Sequence, residues 1–221
     1  MVLKRRGALR FLRPLAFALA ALLCAFSSAA LDSGRLLEVA NSRGPHVMAE
    51  AQAMLRMIDR ASHQDEVARL TTVNDFFNQR IRYAEDIDVW GVQDYWASPL
   101  EALSKGAGDC EDYAIAKYFS LASSGVPVAK LRMVYVRAML GGKSLAHMVL
   151  AYYPQPNAEP LILDNIQAEV KPASQRPDLS PVFSFNTEGL WNGVGASSMG
   201  NPVVRLSQWR DLLAKVKDEG F

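Results

Sequence analysis

The sequence predicts an α+β domain with helices first and a mainly antiparallel sheet after them. Apolar residues recur at three-and-four spacing from Val47 to Ile81 and again from Cys110 to Ser123. Beyond Pro127 the period changes to two, with Gly141-Gly142 and Pro154-Gln155-Pro156-Asn157 as turns between the alternating runs.

The first thirty residues read as an export signal. Lys4, Arg5, Arg6, Arg10 and Arg13 form a basic, acid-free leader, followed by an apolar stretch from Leu15 to Phe26 and by Ser27-Ser28-Ala29-Ala30. That stretch is short for a membrane span, and the small residues suit cleavage before Leu31; an uncleaved anchor is the alternative. Bulky Leu23 before Cys24 argues against a lipoprotein. Cleavage lowers the formal charge from +1 to −4, since five basic and no acidic residues leave, and it removes Cys24. The expected mature chain, residues 31–221, is periplasmic, has one thiol and forms one domain. Its weakly acidic balance and lack of a basic run argue against nucleic acid as a partner.

Val47, Met48, Ala51, Met54, Leu55 and Ile58 mark an amphipathic helix over 47–61, its methionines read as core filling. Asp65 caps a second, in which Val67, Leu70, Val73, Phe76, Phe77 and Ile81 recur. Residues 83–98 read as irregular, with Trp90, Tyr95 and Trp96 either lining a cleft or, the commoner outcome, packing over the core. Pro99–Ser104 is a short helix, and Lys105-Gly106-Ala107-Gly108 a loop leading into a helix over Cys110–Ser123 that Gly125 and Pro127 stop. Strands are predicted at Leu131–Val136, Ala146–Tyr153, Leu161–Leu163 and Val182–Phe185, then a long loop over Asn186–Asn201 and a closing helix at Leu206–Val216.

The chemistry centres on Cys110, in Gly108-Asp109-Cys110-Glu111-Asp112-Tyr113. A thiol is a useful nucleophile only as thiolate, and the amides and dipole of a helix N-terminus favour that charge and an oxyanion beside it. His147, on an apolar strand, is the candidate base; alone it reads as a satisfied core histidine, but a lone cysteine at a helix start reverses those odds. His46 and His63 read as solvated surface residues. Asp164, ending Leu161-Ile162-Leu163, is placed to orient His147, although Asp-Asn after a strand is also ordinary turn chemistry. Asp109, Glu111 and Asp112 crowd negative charge around the thiol and oppose its ionisation. Either they cap the helix and face solvent, or they hold a hard cation such as calcium. Zinc and phosphate-loop patterns are absent from the sequence.

Trp96, Pro99, Glu101, Leu103, the run Gly108 to Tyr118, Leu131-Arg132, His147-Met148-Val149-Leu150 and Leu161-Ile162-Leu163-Asp164-Asn165 resemble the bacterial transglutaminase-like cysteine proteinases. The resemblance spans roughly 75–165. It implies a papain-like, transglutaminase-type core, with the nucleophile helix packed on the sheet, and a Cys110–His147–Asp164 triad. It also implies a calcium (Ca2+) site using Asp109 and Glu111. It further implies a large cell-surface adhesin as substrate, cut near its N-terminus at paired alanines to release it and disperse biofilm. The implied inhibitor is the periplasmic domain of an inner-membrane cyclic-di-GMP receptor. Transamidation through the same thioester, and a non-catalytic calcium-dependent binding module, are the competing readings.

Overall fold

A computed structural model describes residues 31–195 and 197–221; the leader expected over 1–30, with Cys24, lies outside the described residues. Helix α1 (Ser33–Ser42) is capped by the Asp32 carboxylate, which accepts from the Arg35 N–H, and it buries Leu36 and Ala40. Sequence periodicity did not predict it, because ten residues burying two give too little pattern. Gly44, at φ 114°, turns the chain into α2 (Pro45–Ser62), with Pro45 in its first turn. There Met54 and Met57 are buried, as core filling requires. Asp65 caps α3 (Glu66–Arg80) by accepting from the Ala68 N–H.

The stretch expected to be irregular contains order. Strand β1 (Arg82–Tyr83) is followed by α4 (Asp86–Trp90), closed by Gly91 at φ 74°. Both are too short to show a period. In α5 (Pro99–Lys105) the Ser98 hydroxyl accepts from the Glu101 N–H while Glu101 accepts from the Ser98 N–H, a capping box. Gly106, left-handed at φ 59°, ends it. Next, β2 (Ala107–Gly108) pairs in parallel with β1, Arg82 opposite Ala107 and Tyr83 opposite Gly108. The predicted loop before the cysteine is therefore half strand.

Helix α6 (Cys110–Ser123), which starts at the cysteine, is buried on nearly all sides, from Asp112 through Leu121. It lies against β3 (Leu131–Leu140) and β4 (Lys143–Tyr152). These strands form a hairpin through Gly141-Gly142, whose φ values of 57° and 78° suit a two-residue turn of matching twist. The hairpin runs beyond the core, so residues 143–146 are exposed and burial begins at His147. This explains why apolar pattern located the strand only from Ala146. With β5 (Leu161–Leu163), β6 (Lys171–Pro172), β7 (Leu179–Phe185), β8 (Leu190–Asn192) and β9 (Ser198–Gly200), the sheet has order β6-β5-β4-β3-β7-β8-β9. Every neighbouring pair is antiparallel. Strands β8 and β9 occupy what the polar Gly/Asn/Ser composition predicts to be loop; three-residue edge strands owe their form to pairing rather than to propensity.

Short α7 (Pro202–Arg205) and then α8 (Ser207–Glu219) close the chain. Trp209 of α8 is fully buried, its ring centroid 5.1 Å from Phe185, 5.6 Å from Tyr118 and 5.9 Å from Phe119. The cluster ties the last helix to α6 and the sheet. Trp209→Ala is expected to cost about 3–5 kcal/mol, read as a lower denaturation midpoint with an unchanged denaturant slope, whereas Trp209→Phe costs clearly less.

Candidate active site

The β1–β2 pair delivers the chain to Cys110 at the first turn of α6. Gly108 is required by its neighbour: a Cβ there would stand 2.5 Å from Asp112 Oδ2 and 2.8 Å from its Cβ. Asp112 is fully buried and accepts from the Ala97 N–H at 2.8 Å. Asp109 is also buried, and its side chain makes no cap hydrogen bond. Asp109 and Asp112 are therefore not solvent-facing caps, one of the two readings the sequence left open.

Asp86, from α4, joins them. One carboxylate oxygen each of Asp86, Asp109 and Asp112 can lie within 4.8 Å of the other two, and Asp86, Asp94 and Glu111 form a second such set. Asp86 Oδ1, Asp109 Oδ1 and Asp112 Oδ2 are buried without a hydrogen-bond partner among the described residues. Burial, and then the mutual repulsion of the carboxylates, raises all three above the usual carboxylate range, Asp86 to about 6. An all-oxygen donor set with orphaned, buried oxygens fits a hard cation of the calcium type, which takes six to eight oxygens. Of the predicted ligands, Asp109 lies in the first set and Glu111 in the second, and Asp86 is common to both. Asp112 completes the first and Asp94 the second; Asp86 and Asp94 came from a stretch in which the sequence showed only aromatic residues among turn formers.

The same charge acts on the thiol. Cys110 is half-buried and donates to Glu111 Oε2 at 3.0 Å. Burial, then the Glu111 charge and hydrogen bond, then Asp109 push its pKa far up, with the Met148 main-chain N–H offsetting part. Without a cation the sulfur is held protonated, and its hydrogen bond goes to Glu111 rather than to His147.

His147, opposite Val136 on β3, is buried, and its Nε2 lies 2.8 Å from Asp164 Oδ1. A carboxylate can only accept, so Nε2 carries the proton and Nδ1 is left as the basic nitrogen. Asp164 is buried. Burial alone would raise its pKa, but hydrogen bonds and charge from His147 and Arg176 hold it well below the usual carboxylate range. Arg176 Nη2 reaches Asp164 Oδ2 and Asp178 Oδ2, each at 2.7 Å. The Asp164 main-chain carbonyl accepts from Lys117 Nζ at 3.0 Å and Asn78 Nδ2 at 2.9 Å. Lys117 is seven residues beyond Cys110 on one helix, so α6 presents the thiol and also braces the acid. Asp164 is thus no mere turn residue.

Cys110, His147 and Glu111 line one cleft of about 360 Å³, walled by Trp96, Tyr135 and Phe183. Trp96, proposed from sequence, is there. Trp90 is not: it packs on Tyr95 with ring centroids 4.4 Å apart, under Lys105. His46 and His63 are exposed, as expected. Sequence reasoning missed Arg176, Lys117 and Asn78; a lysine in the middle of an otherwise apolar helix is the one signal that pointed to any of them. A nucleophile at a helix N-terminus, a base held by a buried carboxylate and an aromatic cleft can together support acyl transfer.

Burial lowers the Lys117 pKa from 10.5 to about 7. Between those values the folded chain binds fewer protons than the unfolded one, so this group makes stability rise with pH across that window. Lys117→Met, of similar length, is expected to flatten that rise in denaturation midpoints measured from pH 7 to 10.

Comparison with known proteins accords with this geometry. Residues 46–178 match the family model described as "Bacterial transglutaminase-like cysteine proteinase BTLCP". Among solved structures, Legionella pneumophila LapG in an EGTA-treated form is 39% identical, covering 85% of this chain and 99% of its own, with a TM-score of 0.75. A calcium-bound form of the same protein is 38% identical, covering 83% and 98%, with a TM-score of 0.73. A search of curated proteins found no significant match. With sequence and structural likeness agreeing over most of its length, the chain belongs to the bacterial transglutaminase-like cysteine proteinases.

Proposed function

We propose that this cysteine protease is a calcium-dependent periplasmic endopeptidase using Cys110 as nucleophile, His147 as base and Asp164 as the group that orients His147. The observation that carries the reading is that His147, fixed by Asp164 through Nε2, shares a cleft with the only thiol among the described residues. His147 Nδ1 takes the thiol proton, Cys110 Sγ adds to a main-chain carbonyl carbon, and α6 amides hold the oxyanion. The imidazolium then protonates the leaving amine, and water, deprotonated by His147, releases the acyl group. Calcium would be held by Asp109, Glu111, Asp86 and Asp112, and its charge would offset the carboxylates that keep the thiol protonated.

The substrate we assign is a large surface adhesin cut near its N-terminus at a paired-alanine site, which frees it from the cell and promotes biofilm dispersal. Control falls to the periplasmic domain of an inner-membrane cyclic-di-GMP receptor. The basic leader with small residues before Leu31 and the likeness to the Legionella proteins support this assignment. One rival is a non-catalytic calcium-dependent binding module, in which the same acidic loop holds the cation and Cys110 is inert.

Cys110→Ala is expected to abolish cleavage of an adhesin N-terminal fragment while the thermal midpoint stays within about 2 °C. Cleavage persisting in that variant would refute the assignment, and a dominant amide-linked product with added primary amine would establish transamidation instead. Chelator is expected to suppress cleavage and calcium to restore it. Asp86→Asn should raise the calcium concentration needed by at least about tenfold, the loss seen even for outer-sphere partners of a metal site; calcium titration of activity and of thermal midpoint reads both.

A further inference from the structure

Strand β4 is paired unequally on its two sides. β3 runs beside it from Lys143 to Tyr152, whereas β5 meets it only over Leu150–Tyr152. β5 ends at Leu163, and Asp164 then turns the chain, its Oδ1 accepting from the Asn165 and Ile166 N–H groups at 2.7 and 3.1 Å. From Lys143 to Val149, among the described residues, the second side of β4 therefore has no strand beside it.

In an antiparallel pair alternate residues bond to the partner strand and the others turn their main chain away. Three bonds fix which residues do which. The Tyr153 N–H donates to the Lys130 carbonyl at 2.7 Å, on the β3 side. Met139, opposite Ser144, donates away from β4 to the Asp178 carbonyl at 2.9 Å. The Met148 N–H donates to the Cys110 sulfur. Lys143, Leu145 and His147 thus bond to β3, while Ser144, Ala146 and Met148 present N–H and C=O on the open side. Cys110 takes the Met148 N–H. Ser144 and Ala146 are exposed, and their outward main-chain groups have no partner among the described residues.

An open edge is a template for another extended chain, and folds commonly blunt it with a proline or a bulge. This one has neither, since the β3–β4 register runs without a shift from Tyr152 to Lys143. It also leads straight to the nucleophile: Ala146, His147 and Met148 line the cleft with Cys110. Along the edge β5 takes Leu150–Tyr152, Cys110 takes Met148, and Ala146 and Ser144 come next. A segment paired with those two has its main chain aimed at the sulfur. A cleft of about 360 Å³ walled by Trp96 and Phe183 suits one extended segment rather than a strand carrying its own folded domain.

We infer that the outer edge of β4 docks the substrate as a single extended segment, its main chain pairing with Ser144 and Ala146 in line with β5 and bringing a carbonyl to Cys110. The identity of the occupant rests on the endopeptidase reading. Recognition at this edge is by main chain, so the segment must be locally unfolded and must offer N–H groups at the pairing positions.

The probe is a capped peptide of serine and threonine with an alanine pair at its centre, added with calcium to the Cys110→Ala protein so that it stays whole. Amide hydrogen exchange is followed by nuclear magnetic resonance. At about ten times the peptide Kd, exchange of the Ser144 and Ala146 amides is expected to slow by about tenfold, while the Lys143 and Leu145 amides, already bonded to β3, change little. Two further peptides carry N-methyl groups on alternate amides, in opposite registers; one register is expected to lose the protection and the other to keep it. Ser144→Pro, which removes an outward N–H and no bond to β3, should weaken binding by roughly fivefold; if it fails to fold, the two registers decide. Absent protection at Ser144 and Ala146, or equal loss in both registers, would overturn the inference. Protection without cleavage of the same peptide by the unaltered protein supports the docking edge and counts against the endopeptidase, and cleavage without protection does the reverse.

Discussion

Asp164 is where the parts of this protein meet. Its side chain accepts from His147 and Arg176, and its main-chain carbonyl accepts from Lys117 and Asn78. Those donors come from the sheet, the β6–β7 connection, α6 and α3. Each would be poorly placed without the others. A buried carboxylate is tolerable only when charge and hydrogen bonds compensate its lost hydration, and this compensation fixes the position of His147 relative to the helix that carries Cys110.

Opposed to this well-satisfied anion is the unsatisfied one at the start of α6. Asp86, Asp109 and Asp112 bury oxygens that find no donor, and Glu111 takes the thiol as its partner. The helix dipole favours a thiolate, but one helix terminus is worth on the order of 1 kcal/mol. Burial beside two carboxylates outweighs it, as the direction of the Cys110 shift records. The two halves of the cleft therefore differ: the His147–Asp164 pair is already assembled, whereas Cys110 is bound to the electrostatics of its own loop.

Much of this was legible in the sequence because it follows from periodicity and local chemistry. The bounds of α6 and the turn at Gly141-Gly142 agree with pattern alone, as do the places of Cys110, His147 and Asp164 in one neighbourhood. What escaped has a common physical cause. Helices α1 and α4 and strands β8 and β9 are too short to carry a period and exist through tertiary pairing. Arg176, Lys117 and Asn78 act through contacts 12 to 86 residues away in sequence, where no local rule reaches. Asp86 looked like turn composition because its role depends on Asp109 and Asp112 folding back onto it. Residue type left Trp90 and Trp96 equal candidates for the cleft wall; Trp90 instead takes the commoner course, stacked on Tyr95 against the core.

The hydrogen bond from Cys110 to Glu111 has a chemical corollary. Peroxides attack sulfur through its anion, stepping from sulfenic to irreversible sulfinic acid. A sulfur whose hydrogen goes to a neighbouring carboxylate is a slow target for them, so the placement of Glu111 beside Cys110 also guards the one thiol among the described residues against oxidation.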